Sequence, residues 1–358
     1  MSGLWRARFV KPNVEKIRDA VISMLRVNMG LKDGESLLVL TDTPTQEQWR
    51  RWSDDILLDI TRRALLAKAV YLIAREAFPN CEVDLYVYPC TGRSGAEPVR
   101  DVAEAMKRVD VVVAITSFSL THTHAREEAT RSGARIASMP GFTEEMLYPG
   151  GPMSVDYREI SRQTKKIADA LTEAREARVL SPAGTDIRFS LEGRSGDVDD
   201  GLLDKPGLYG NLPAGEAYIA PVEGTAEGRI VVEAGWYPYL EQNMVLEFSG
   251  GEVVALEGGG KVGDHFREVL KIGDESEPYK SRRNLAELGI GTNPNARNPT
   301  NVLEAEKIMG TVHLAIGDNA HFGGRVSADL HEDFVIPKPT LVLDGKTVIK
   351  DGRHLFST

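Results

Sequence analysis

The chain has 358 residues, more than one hydrophobic core usually serves, and its 42% apolar and 27% charged residues are ordinary for a globular protein. Its formal net charge of −10 argues against a nucleic-acid phosphate backbone or an anionic membrane as partner. Its two cysteines, Cys81 and Cys90, form no CxxC pair, and neither an N-terminal apolar leader nor a run of about 18 apolar residues occurs, so a cytoplasmic protein without a disulfide framework is expected.

The first half alternates helix and strand. VEKIRDAVISMLRVNMGL carries apolar residues at helical spacing; KDGE stops it, and SLLVLTDT reads as a short buried strand. ILLDITRRALLAKAVYLIAREAF then gives a long helix, CEVDLYVYPC a strand, VRDVAEAMKRV a helix and DVVVAITS a continuously apolar strand. AREEATRSGARIASMP repeats helix and strand. Helices between fully apolar strands imply a mostly parallel sheet covered on both faces, an α/β domain over residues 1–180.

Composition changes near residue 180. DYREISRQTKKIADALTEAREARVL reads as a charged amphipathic helix able to bridge two domains. Short alternating runs follow: DIRFSLEG, EAYIAP, GRIVVEAGW, MVLEFSGGEVVALEG and PTLVLDGKTVIKDG. Glycine-containing turns separate them, the signature of antiparallel hairpins, so residues 181–358 are expected to form a β-rich, metal-binding domain.

GGGKVG at 258–263 satisfies G-x-G-x-x-G, but it follows an antiparallel-looking run and no βαβ unit completes it. A glycine-rich turn from hairpin to helix is the expected reading. No Walker A, G-x-S-x-G or HExxH is present. The cysteines flank a strand and adjoin no histidine, which fits ordinary packing better than a catalytic thiol.

The densest chemistry lies in HLAIGDNAHFGGRVSADLHEDF, which holds three of the seven histidines, His313, His321 and His331, among Asp318, Asp329, Glu332 and Asp333. On an extended strand His331 and Asp333 project from one face, so imidazole and carboxylate can meet one ion. Alone, a His-x-Asp pair is more often a surface ion pair. Two upstream carboxylates strengthen the metal reading. Glu216 follows Pro-Ala-Gly ahead of a strand, and Glu287 sits inside apolar LAELGIG, where burial demands a cation or a donor. Together these residues form an oxygen and imidazole set suited to Zn, Co, Mn or Fe.

PAGEAYIAPVEGTAEG, LAELGIGTNPNA, HLAIGDN and LHEDFVI, in this order, resemble the metallo-aminopeptidases of the aminopeptidase T type. The resemblance implies an α/β N-terminal domain, a β-rich C-terminal domain, a dimer and a two-metal site. Matched motif by motif, its ligands fall on Glu216, Glu287, His313, His331 and Asp333. The family's tyrosine, seven residues after the first histidine, is replaced by Ala320, with His321 next to it. A related branch is the 2,5-dihydroxypyridine dioxygenase, with one iron held by two histidines and an aspartate. His331 and Asp333 match its His-x-Asp pair, while Glu287 stands where its other histidine would be. SFSLTHTHAREEA resembles that branch too, and makes His122, with His124 behind it, a candidate proton-transfer residue.

The leading expectation is therefore a metal-dependent hydrolase of amide bonds in small peptides. Zn, Co or Mn would activate a water, with Glu216 or Glu287 bridging the metals or acting as general base. A non-haem Fe(II) ring-cleaving dioxygenase is the alternative, and a non-catalytic binding protein the third. The aromatic run GWYPYLEQ is a candidate homodimer patch.

Overall fold

The structure, a computed structural model, describes residues 11–356, so the first ten residues of the N-terminal stretch, read as lacking an apolar leader, lie outside the described residues. The helices are α1 (Val14–Ser23), α2 (Gln46–Arg51), α3 (Asp54–Ala77), α4 (Arg100–Met106), α5 (His124–Arg131), α6 (Tyr157–Glu173), α7 (Gly260–Leu270), α8 (Tyr279–Arg282) and α9 (Val302–Ala305). The strands begin with β1 (Ser36–Thr43), β2 (Glu82–Pro89), β3 (Val111–Ala114), β4 (Arg135–Ser138), β5 (Glu176–Leu180) and β6 (Asp186–Ser190). They continue with β7 (Asp197–Asp199), β8 (Tyr209–Asn211), β9 (Glu216–Ile219), β10 (Glu227–Val232), β11 (Met244–Ser249) and β12 (Glu252–Gly258). The last are β13 (Leu285–Gly291), β14 (Thr311–Gly317), β15 (His331–Pro337), β16 (Thr340–Leu343), β17 (Lys346–Lys350) and β18 (Arg353–His354).

Two compact units result. The first runs to Ser154 and regains Leu202–Leu212; the second holds Val155–Gly201 and Pro213 onward. The sequence reading put the change at about residue 180, where strand-rich sequence begins. The division falls before α6 because that helix packs on β7 and β9 of the second unit.

In the first unit the sheet order is β2-β1-β3-β4-β8, with every pair parallel. Its apolar strands are covered as their composition requires: Leu38, Leu40, Val112, Ala114 and Ile136 pack with Val102 and Met106 of α4 and Ala125 and Ala129 of α5. The α/β expectation is thus met. Strand β8 has no sequence signal, since Gly210 and Asn211 disfavour strand, only three residues pair, and they do so through the long return to β4.

The second unit is antiparallel, as the hairpin pattern implied. One sheet has eight strands, β12-β11-β10-β6-β5-β16-β17-β18, and the other five, β15-β14-β13-β9-β7. Both turn alternate residues into one core: Ile187, Phe189, Ile230 and Leu246 from the larger sheet, Ile219, Leu288, Ile290, Leu314 and Phe334 from the smaller. Helix α7 seals it with Phe266 and Leu270. GGGKVG is the turn from β12 into α7, with Gly258, Gly259 and Gly260 all at positive φ. In the aromatic run, Tyr237 packs on Phe266 and Phe334, whereas Tyr239 is exposed. Among the described residues no helix is long and apolar enough to cross a membrane.

Candidate metal centre

The site follows from strand alternation in the five-stranded sheet. Even-numbered Leu288, Ile290, Val312, Leu314, Ile316, Phe334 and Ile336 face the core. Their odd-numbered neighbours Gly289, His313, Ala315, Asp333 and His331 therefore face the other way, and the register sets Gly289 against His313, Ala315 against Asp333 and Gly317 against His331. On β9, Glu216 pairs with Gly291. A glycine or alanine thus lies on one flank of each large ligand-type side chain, which leaves them room to converge.

Glu287, two residues from Gly289, shares this face by the same alternation. A regular strand would send Leu285 and Glu287 to the same side, yet Leu285 is in the core. The register shifts between these two residues, and the bulge returns Leu285 to the core while Glu287 stays on the polar face.

Distances confirm the convergence. His313 Nε2 lies 3.2 Å from Glu287 Oε1 and 3.6 Å from Glu216 Oε2. His331 Nε2 lies 3.3 Å from Glu287 Oε2 and 3.6 Å from Asp333 Oδ1. One ligand atom each from Glu287, His313 and Asp333 lies within 4.8 Å of the others, the spacing of a possible metal-binding triad. Of the five residues expected from the sequence, all therefore occupy one polar face. His122 lies in the first unit, exposed, on the turn before α5.

The His331 imidazole is set up as a ligand. His331 Nδ1–H donates to the Asp318 carbonyl at 2.7 Å, which leaves Nε2 as the lone-pair nitrogen facing Glu287 and Asp333. The Asp318 carboxylate in turn accepts from His321 at 2.6 Å and from the Ala328 amide at 3.1 Å. The Nδ1 of His313, and Glu216 Oε2, are buried without a hydrogen-bond partner. Glu287, His313 and Asp333 nonetheless bring imidazole and carboxylate donors within 4.8 Å of one another in a buried setting, so the residues present fit a divalent metal.

Metal-free charges show the same logic. Burial alone would lower His313, but the hydrogen bond to Glu287 and the carboxylates of Glu216 and Asp333 outweigh it and raise it to about 9. His331 is likewise held above its ordinary value, against burial, chiefly by Asp333. Asp333 is pushed well down despite burial, by His331 first. Glu287 is lowered, its bonds to both histidines overcoming burial.

Three neighbours carry no sequence signal. Gly291 lets residues 306–308 cross over β13: a Cβ there would lie 2.2 Å from the Ile308 carbonyl oxygen and 2.9 Å from that of Glu306. The crossing delivers Glu306 and Lys307 to the polar face. Lys307 Nζ meets Glu216 Oε1 at 2.6 Å, Glu306 Oε2 at 3.0 Å and Asp199 Oδ2 at 3.6 Å. The alternation in LEAEKIMG could have been read only with the position of Gly291 already known. The remaining acids of the histidine-rich segment are occupied elsewhere, Asp329 by a two-pronged pair with Arg282 and Glu332 by Tyr237 Oη at 2.7 Å.

Fold and polar face together define a two-unit protein with a carboxylate–imidazole ligand cluster on an antiparallel sheet. The chain belongs to the 2,5-dihydroxypyridine 5,6-dioxygenase (NicX) family, whose sequence model matches residues 21–355. It is 25% identical over 265 residues to the 2,5-dihydroxypyridine 5,6-dioxygenase of Pseudomonas putida KT2440, covering 69% of this chain and 71% of that one. The fold is shared with the solved 2,5-dihydroxypyridine dioxygenase of P. putida KT2440, at a TM-score of 0.72, 19% identity and coverage of 96% of this chain and 98% of that one. It is also similar to wild-type AmpT of Thermus thermophilus, at a TM-score of 0.62, 15% identity and coverage of 95% and 99%. Both branches suggested by the sequence motifs are thus represented, and the sequence relationship lies with the dioxygenase.

Proposed function

We propose that the protein is a metal-dependent ring-cleaving dioxygenase acting on a hydroxylated nitrogen heterocycle. The observation that carries this is the convergence of two imidazoles and two carboxylates, His313, His331, Glu287 and Asp333, on one face of a chain in this family. Two histidines with a carboxylate are the donor set of non-haem Fe(II) oxygenases. His313 supplies the second imidazole where Glu287 stands in the position of the relative's other histidine. Bound here, Fe(II) would supply the redox chemistry that adding dioxygen to an aromatic ring requires.

The chain's own residues account for binding and orientation. Asp318 fixes the His331 ring through its carbonyl. Phe322 stands edge-on to both Tyr218 and His331, with ring centroids 5.6 and 5.7 Å away, and forms an aromatic rim beside the ligands. Trp236, Tyr237, Pro238 and Pro299 line a small indentation that Asp333 and Glu306 also border.

A second reading, the amide hydrolase, is supported by the fifth carboxylate, Glu216, whose Oε2 points to His313 without a hydrogen-bond partner. One assay separates the two. Protein loaded anaerobically with Fe(II) is given 2,5-dihydroxypyridine and oxygen uptake is followed; in parallel, Co(II)- or Zn(II)-loaded protein is given aminoacyl amides. Uptake with the heterocycle and no amide cleavage supports the dioxygenase, and the reverse result overturns it.

A further inference from the structure

Beside the ligand cluster lies a second group of charges. Asp199, Glu216 and Glu306 surround one ammonium, Lys307 Nζ, at 3.6, 2.6 and 3.0 Å. The Lys307 side chain is 2% exposed and that of Glu216 9%, so neither charge is screened by water. Oε1 of Glu216 is held by Lys307 while its other oxygen, 3.6 Å from His313 Nε2, has no hydrogen-bond partner. Asp199 Oδ2 is buried and also lacks one.

We infer that Lys307 is a built-in cation that keeps the centre to a single metal ion, by occupying Glu216 and neutralising the carboxylate pocket that would otherwise take a second divalent ion. This rests on the proposed metal centre. The chemistry is that of exchange between cations. Three carboxylates in a buried pocket require positive charge. An ammonium on a fixed backbone supplies one unit permanently, and it cannot leave. Its anchor is firm: the Lys307 amide donates to the Glu304 carbonyl at 3.0 Å and its carbonyl accepts from the Asn293 amide at 2.9 Å. Were Lys307 uncharged, the same oxygens, with the unpaired Glu216 Oε2 and Asp199 Oδ2, would offer a hard-oxygen site next to the first. Lys307 is accordingly a positioning residue and does not itself ligate.

The test counts ions. Full-length protein stripped with chelator is dialysed against Mn(II) alone, then against Co(II) alone, and bound metal per chain is measured by elemental analysis. Wild type is expected to hold one ion, Lys307→Met two, Lys307→Arg one, and the double variant Lys307→Met with Glu216→Gln one. Two ions in wild type, or one in a folded Lys307→Met, would overturn the inference while leaving the metal centre standing. No ion in wild type would overturn both. Lys307→Gln, which removes the charge but keeps a hydrogen-bonding side chain, gives an answer if Lys307→Met fails to fold: two ions in it support the inference and one overturns it.

Discussion

His313 lies directly over Gly289. The two are register partners on β14 and β13, and a Cβ built on Gly289 would fall 1.9 Å from His313 Nε2. The glycine thus makes the space that the imidazole fills. Gly289→Ala must expel the ring or bend the strand, with an overpacking cost of about 1–3 kcal/mol. Metal affinity should fall at least tenfold, read by titration of the chelator-stripped protein. Native affinity in a folded Gly289→Ala would show that His313 is not a ligand.

Glu287 touches both histidines, at 3.2 and 3.3 Å, through its two oxygens. Glu287→Gln keeps the shape and removes the charge. We expect metal affinity to drop by more than the roughly 10–100-fold that outer partners of a ligand cost, with most activity lost and the fold retained. Circular dichroism together with metal analysis checks both halves. Full turnover in this variant would remove Glu287 from the centre.

Stability should depend on pH in a direction that metal reverses. His313 goes from 6.5 to about 9 on folding, Asp199 from 3.8 to about 7 and Glu306 from 4.5 to about 8, in the last two because burial outweighs Lys307. All three bind a proton more tightly folded than unfolded. Their contribution is therefore full below the unfolded value and lost as pH rises through 7, 8 and 9. Asp333 and Glu287 are lowered and act on the acid side, where stability is lost as pH falls below the ordinary carboxylate range. The Tm of chelator-treated protein should peak on the mildly acidic side of neutrality and decline toward pH 9. Metal needs His313 and His331 deprotonated, so the gap in Tm between loaded and stripped protein should widen over the same interval. A flat profile in the stripped protein would contradict these charge assignments.

Phe322 supplies a test of the aromatic rim. Its ring meets Tyr218 and His331 edge-on but donates nothing to the ligand set. Phe322→Ala should raise KM for a heterocyclic substrate by about 3- to 10-fold, the size of one aromatic contact, and leave metal content unchanged. Steady-state oxygen uptake and elemental analysis on one preparation decide it. A fall in metal content would instead make Phe322 a support for His331.

Much of this was legible in the sequence because strands announce themselves by period. LAELGIG, HLAIGD and HEDFVI each alternate, and the alternation alone predicts which residues share a face with His331 and Asp333. The hairpins of the larger sheet and the helix–strand repeat of the first unit were legible for the same reason. Two kinds of feature were not. The bulge between Leu285 and Glu287 is invisible locally, since only the partner strand shows that Leu285 has changed sides. Lys307, Glu306 and Asp199 come from a crossing chain and a three-residue strand, placed by contacts with Gly291 and Glu216 that no local pattern records. Such charges read in sequence as solvated ends of short elements, and their burial is a tertiary fact.

The measurement that bears most directly on the metal centre is iron content after anaerobic Fe(II) loading, for wild type and His331→Ala side by side. One iron per wild-type chain, lost in the variant, is the result predicted from the His331, Glu287 and Asp333 distances. Iron absent from wild type, or retained in full by a folded His331→Ala, would contradict it.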